Sequence, residues 1–225
     1  MKRKLLVIMY CALMVLAVIG FKPFALDAAT YTQWIQDPDK TIAKYKDKWS
    51  DRTIVEKVQP EFSYQSGDEV GTITIPRMNY YEMPIYYGYD LVNNNWQITT
   101  MGNLGNWEFF GQNGRAAVGA HNYQLCSKLP DMEEGDLFII ETEYDTFIYE
   151  VTGHRVYDHL KDDWYQIAYQ DALPYSISLM TCWPIEQGAE ATEDTYIEYS
   201  KMVSGAKYTA DPAKHKRNLR LRIIP

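Results

Sequence analysis

The sequence predicts a mainly β protein: a closed or nearly closed barrel of about eight short strands with a few short helices, behind an N-terminal membrane helix. Three observations carry this expectation. The 225 residues include 19 Tyr and 6 Trp, and aromatic side chains favour the pleated strand. After residue 68, short apolar or alternating runs follow one another with turn residues between them. At the N-terminus, Lys2-Arg3-Lys4 precedes seventeen uncharged, mostly apolar residues from Leu5 to Phe21, a length at the lower end of the range that spans a bilayer.

Taken in order, residues 1–29 read as a signal anchor. A cleaved signal peptide ends in an Ala-x-Ala-like site, and Phe24-Ala25-Leu26-Asp27-Ala28-Ala29 offers no clean one. The basic start then stays in the cytoplasm and the rest of the chain lies outside, giving a single-pass membrane protein. Residues 30–68 form a helical and linker segment. Trp34, Ile35, Ile42 and Tyr45 share an apolar stripe at helical spacing within 31–49, interrupted early by Pro38, and 50–67 is polar and mixed.

Residues 69–225 hold the barrel. Strands are expected at 71–76, 83–87, 97–100 and 115–119. The runs 137–142 and 146–151 flank Glu143-Tyr144-Asp145 as a hairpin, with 154–157 continuing the second arm. The strands 175–181 and 218–224 complete the set. Helical insertions are expected within 101–110, 162–170 and part of 196–203. The net charge of −8 argues against a nucleic-acid partner, whose phosphates call for a basic surface.

The chemistry converges on Cys182, at the end of the run Ser178-Leu179-Met180-Thr181-Cys182 and just before Trp183-Pro184. A cysteine attacks a carbonyl as thiolate, which needs an adjacent base or cation. The ensuing oxyanion needs Arg or amide donors. Of four histidines, His121 ends the small-residue run 116–120, where a side chain sits at a barrel rim, whereas His154, His159 and His215 lie in polar surroundings. In the basic run 217–224, Arg217 shares a face with Leu219, Leu221 and Ile223, while Arg220 and Arg222 share the other. Arg217 is therefore the preferred cation and Arg220 the runner-up. The competing reading makes all three a basic guard on an edge strand.

These residues resemble the sortases, cysteine transpeptidases of Gram-positive cell surfaces. The Thr-Leu-x-Thr-Cys signature of that family is similar to Ser178-Leu179-Met180-Thr181-Cys182, and its strand-ending histidine to Gly119-Ala120-His121. Gly71-Thr72-Ile73-Thr74-Ile75-Pro76 with Met83-Pro84-Ile85-Tyr86 resembles the first two strands of the sortase barrel, and Gly135-Asp136 also matches. The resemblance implies that Cys182 attacks the Thr–Gly bond of an LPXTG-like sorting signal and forms a thioacyl enzyme. It implies that His121 exchanges protons with the leaving and incoming amines. Arg217 would steady the oxyanion, and Thr181 would support the substrate or the oxyanion. The partners implied are surface proteins or pilins with a C-terminal sorting signal, and an amine acceptor from a cell-wall (lipid II-like) precursor or a pilin lysine.

The chain departs from the pattern in Ser178, in the Gly-Ala-His order, and in the long, acidic stretch between Cys182 and Arg217. No cofactor is expected. Some sortases respond to calcium, and Glu133, Glu134, Asp136, Glu186 and Glu190 are the candidate ligands here, although a solvated acidic surface is the preferred reading. Two other classes compete. One is an anchored, non-catalytic surface β-domain in which Cys126 and Cys182 are structural or paired. The other is a different extracellular cysteine peptidase.

Overall fold

The computed structural model describes residues 43–45, 47–88, 98–100, 109–122, 125–158, 161–162, 173–185 and 194–209. The expected anchor, the helical insertions within 101–110 and 162–170, and the run 218–224 lie wholly or almost wholly outside them. Among the described residues, no helix is long and apolar enough to cross a membrane.

Nine strands are described: β1 (Ile54–Val58), β2 (Glu69–Ile75), β3 (Tyr80–Tyr86), β4 (Ile98–Thr100), β5 (Arg115–Gly119), β6 (Leu137–Glu141), β7 (Thr146–Asp158), β8 (Ser176–Trp183) and β9 (Asp194–Thr209). They form one sheet in the order β1-β9-β7-β6-β2-β3-β4-β5-β8, and a β9–β8 pairing closes it. The result is an eight-stranded barrel with β1 added in parallel to the outer half of β9. Closure leaves the barrel strands paired on both sides.

Residues paired directly across strands share a face. Phe138, Tyr149 and Met202 form one such row, as do Val118, Leu179 and Glu198, and these point inward. Phe138 and Tyr149 are buried and stacked 5.5 Å apart. The opposite face is covered in part by the turn 43–50. There the buried Tyr45 packs on Ile139 and Ile148, with Trp49, Leu137 and Val203 around them. Lys44 and Tyr45 fasten this turn by bonding the carboxylates of Glu82 and Glu141.

Gly71 marks the bulge where β2 bends between its partners. Its φ is +153°, and a Cβ there would lie 2.3 Å from the Glu141 carbonyl oxygen, so only glycine fits.

Two expectations are corrected. Within the stretch between Cys182 and Arg217, residues 194–209 are strand β9, where a helix over part of 196–203 is expected. The inward row of β9 mixes Tyr196, Glu198, Ser200 and Met202, so its buried positions do not read as an apolar alternation. The segment expected as linker contains β1, whose five residues are all exposed. Its strand state comes from pairing with β9, which a local hydrophobic pattern does not report.

Candidate active site

Strands β5 and β8 run parallel and in register from Arg115 against Ser176 to Gly119 against Met180. The next positions extend that register. The Ala120 amide donates to the Met180 carbonyl at 3.4 Å, and the Thr181 hydroxyl donates to the Ala120 carbonyl at 2.9 Å. His121 and Cys182 follow, each one step beyond the last clamped pair, at the same level on neighbouring strands. Both fall on the outer face of the barrel wall, because side chains two apart along a strand share a face and Gly119 and Met180 lie opposite each other. Cys182 is exposed and His121 half-buried. An apolar, tightly paired base thus holds two reactive side chains at the rim.

The turns beyond the two strands are tied to each other. Asn122 is buried, and its side-chain amide donates to the Pro184 carbonyl at 3.1 Å. The Cys126 amide donates to the His121 carbonyl at 3.2 Å, closing the turn after His121. None of this was legible locally, since Asn122 reads simply as a polar turn residue.

The structure holds Cys126 and Cys182 as free thiols, Cys126 buried and Cys182 exposed. Burial pushes the Cys126 thiol up to about 12, with the nearby Cys182 adding to the rise and the Ala120 amide opposing it. Cys126 is therefore a neutral packing group, and only Cys182 has the exposure a nucleophile needs. Thr181 is buried and lies on the wall's inner face, with its hydroxyl on the Ala120 carbonyl. It holds the Cys182 strand against the His121 strand.

Across β8 and β9 the register is antiparallel, and the residue directly opposite Cys182 is Thr195. Tyr157 of β7 extends the same row. No arginine occupies β9. Arg217 and Arg220 lie outside the described residues, so the structure brings together His121 and Cys182 but does not describe the arginine. Below Cys182, on the inner face, Trp183 packs on Tyr196 at 5.5 Å, and Tyr196 stacks on His154 at 5.3 Å. The Tyr196 hydroxyl donates to Glu198 Oε2 at 2.8 Å. Burial pushes the Glu198 carboxyl up to about 7, helped by the charges of Asp136 and Glu134 and opposed by the Tyr196 bond.

For the candidate calcium ligands, Arg77 takes both Asp136 oxygens at 2.8 and 2.9 Å and reaches Glu133 at 3.2 Å. That pairing holds the Asp136 carboxyl below its ordinary range. Glu186 and Glu190 lie outside the described residues. Among the described residues, no group of three or more His, Cys, Asp or Glu is placed to hold a metal ion.

Comparison with known proteins finds the same fold elsewhere. The SrtA sortase of Actinomyces oris is similar in structure, with a TM-score of 0.52 at 20% identity, covering 69% of this chain and 88% of that one. Sortase C from Clostridium perfringens SM101 gives a TM-score of 0.51 at 18% identity, covering 76% and 90%. Sortase A of Listeria monocytogenes gives 0.50 at 18%, covering 63% and 91%. At these identities the likeness shows a shared fold. No curated protein matches the sequence. The Sortase domain family model matches residues 73–203, more than half of the chain and inclusive of His121 and Cys182, so the chain belongs to the sortase family of cysteine transpeptidases.

Proposed function

We propose that this chain is a membrane-anchored sortase of a Gram-positive cell surface, with its catalytic domain outside the cell and residues 1–29 as the anchor. Its donor is a protein with an LPXTG-like C-terminal sorting signal. The Cys182 thiolate attacks the threonine carbonyl carbon of the Thr–Gly bond, forming a C–S bond and an oxyanion. Collapse of the oxyanion breaks the C–N bond, and His121 gives its proton to the departing glycine amine. An acceptor amine, from a lipid II-like precursor or a pilin lysine, then attacks the thioester and loses its proton to His121. The C–S bond breaks and the thiolate returns. Arg217, with Arg220 as runner-up, steadies the oxyanion, and Thr181 acts by positioning the Cys182 strand.

The observation that supports this reading is the β5–β8 register, which sets His121 beside Cys182. A nucleophile with a base on the neighbouring strand is the minimum for acyl transfer through a thioester. The test is transfer by the full-length chain from a panel of sorting-signal peptides to an amine acceptor, compared with Cys182→Ala. Equal product from both proteins rejects the catalytic reading. Loss of transfer in Arg220→Ala but not in Arg217→Ala would move the cationic role to Arg220.

A further inference from the structure

A cleft of about 550 Å³ opens over β7 and β9, lined by Arg115, Arg155, Tyr157 and Tyr199, with His154 and Glu134 at its edge. Register places it on the face that carries Cys182. Tyr157, Thr195 and Cys182 form one cross-strand row, and Arg155, Ile197 and Met180 form the next row of the same face. Strands lie about 4.8 Å apart, so Tyr157 begins the cleft about 10 Å from the nucleophile. Arg115 pairs with Ser176 near the start of β8, about 20 Å along the strand from Cys182.

Both guanidiniums are held by aromatic rings. Arg155 lies 4.6 Å over Tyr157, and Arg115 lies 4.6 Å over Tyr199. The two tyrosine hydroxyls bond to each other, which ties the supports together. Arg115 is buried and also donates to the Ser176 hydroxyl at 3.3 Å. Arg155 is exposed and makes no ion pair among the described residues. By contrast, Lys44, Lys48, Lys57, Arg77, Lys161 and Lys201 each sit against a carboxylate. Among the described residues that line the cleft, Arg155 is the exposed cation that sits on a ring rather than against a carboxylate, and Glu134 is an acid. The exposed Arg155 is stacked by its face, and the N–H edge of such a guanidinium matches a carboxylate or phosphate in a bidentate way.

We propose that this cleft is a subsite for an anionic group, a carboxylate or a phosphate, on a substrate whose reacting carbon or amine is at Cys182. It rests on the sortase reading for the reaction but not for the binding. The acceptor's ammonium is repelled here, so the anion belongs to another part of that substrate or to the donor peptide. An extended peptide advances about 3.3 Å per residue, which sets a donor carboxylate three or four residues from the cleaved bond.

Two arms test it on the full-length chain. In the first, inorganic diphosphate is titrated calorimetrically into Cys182→Ala, with and without Arg155→Gln. In the second, wild type and Arg155→Gln are compared on donor peptides carrying Glu or Gln three and four residues from the cleaved bond. Arg155 is exposed, so its replacement leaves the fold intact, and Arg155→Lys keeps the charge while losing the stacked fork. Diphosphate affinity that falls at least tenfold with Arg155→Gln, and less with Arg155→Lys, supports the subsite and points to an acceptor phosphate. A KM at least fivefold lower for the Glu peptide, lost in Arg155→Gln, supports it and points to a donor carboxylate. If Arg155→Gln changes neither diphosphate affinity nor the Glu-over-Gln preference, the subsite is rejected. A wild type with no transfer at all rejects the sortase reaction, while the calorimetric arm still reads the cleft.

Discussion

Asn122 and Pro184 are joined by a hydrogen bond of 3.1 Å, from the side-chain amide of the first to the carbonyl of the second. Asn122 directly follows His121, and Pro184 stands two residues after Cys182. The bond therefore locks together the two turns that carry the proposed base and nucleophile. Asn122→Ala removes the donor and leaves the carbonyl unpaired, a loss of about 1–2 kcal/mol. It is expected to lower kcat/KM for transfer about tenfold, because loosened reacting groups lose near-attack geometry. Asn122→Asp, which has no amide donor, should behave like the alanine variant, while Asn122→Gln should recover part of the activity.

Cys182 and Cys126 should differ sharply toward alkylation. A thiol with a value of about 12 is thiolate to about one part in 10⁴ at pH 8, and burial further hinders the reagent. Iodoacetamide on the folded protein, followed by peptide mass mapping, is expected to modify Cys182 at least a hundredfold faster than Cys126. Equal protection of both, relieved only by a reductant, would instead favour the paired-cysteine surface domain.

Glu198 makes stability depend on pH. Its folded value of about 7 lies above its ordinary 4.5, so the fold prefers the protonated form. Its contribution is full below about pH 4.5 and is lost as pH rises through 7, on the order of 2–3 kcal/mol. Glu198 Oε1 has no hydrogen-bond partner among the described residues, so ionisation there is poorly compensated. Glu198→Gln should raise the midpoint of thermal unfolding at pH 8 and leave it nearly unchanged at pH 4.5. A wild type whose deficit relative to Glu198→Gln is the same at both pH values would contradict the assignment.

The barrel and the strand-end positions of His121 and Cys182 were legible because each rests on local pattern. The small apolar residues 116–120 run through β5 to His121, and β8 carries Leu179-Met180-Thr181 into Cys182. What was illegible depends on pairing between distant segments. Strand β9 carries Glu198, Ser200 and Ser204 among its buried positions, so its sequence does not look like a barrel strand. Strand β1 is held by β9 and has no buried face of its own. Thr195 opposite Cys182 and Asn122 on Pro184 join segments far apart in the chain. Among the described residues, the strand beside Cys182 contains no arginine, and Arg217 and Arg220 lie outside them.

The central claim is that Cys182 becomes acylated by a sorting-signal peptide and passes the acyl group to an amine. Intact-protein mass spectrometry of the full-length chain, incubated with such a peptide and no acceptor, tests this most directly. The expected result is an added mass equal to the peptide's acyl portion, mapped to Cys182, absent from Cys182→Ala, and discharged on adding the amine. Transfer product that forms equally well in Cys182→Ala, or an adduct mapped to Cys126, would contradict it.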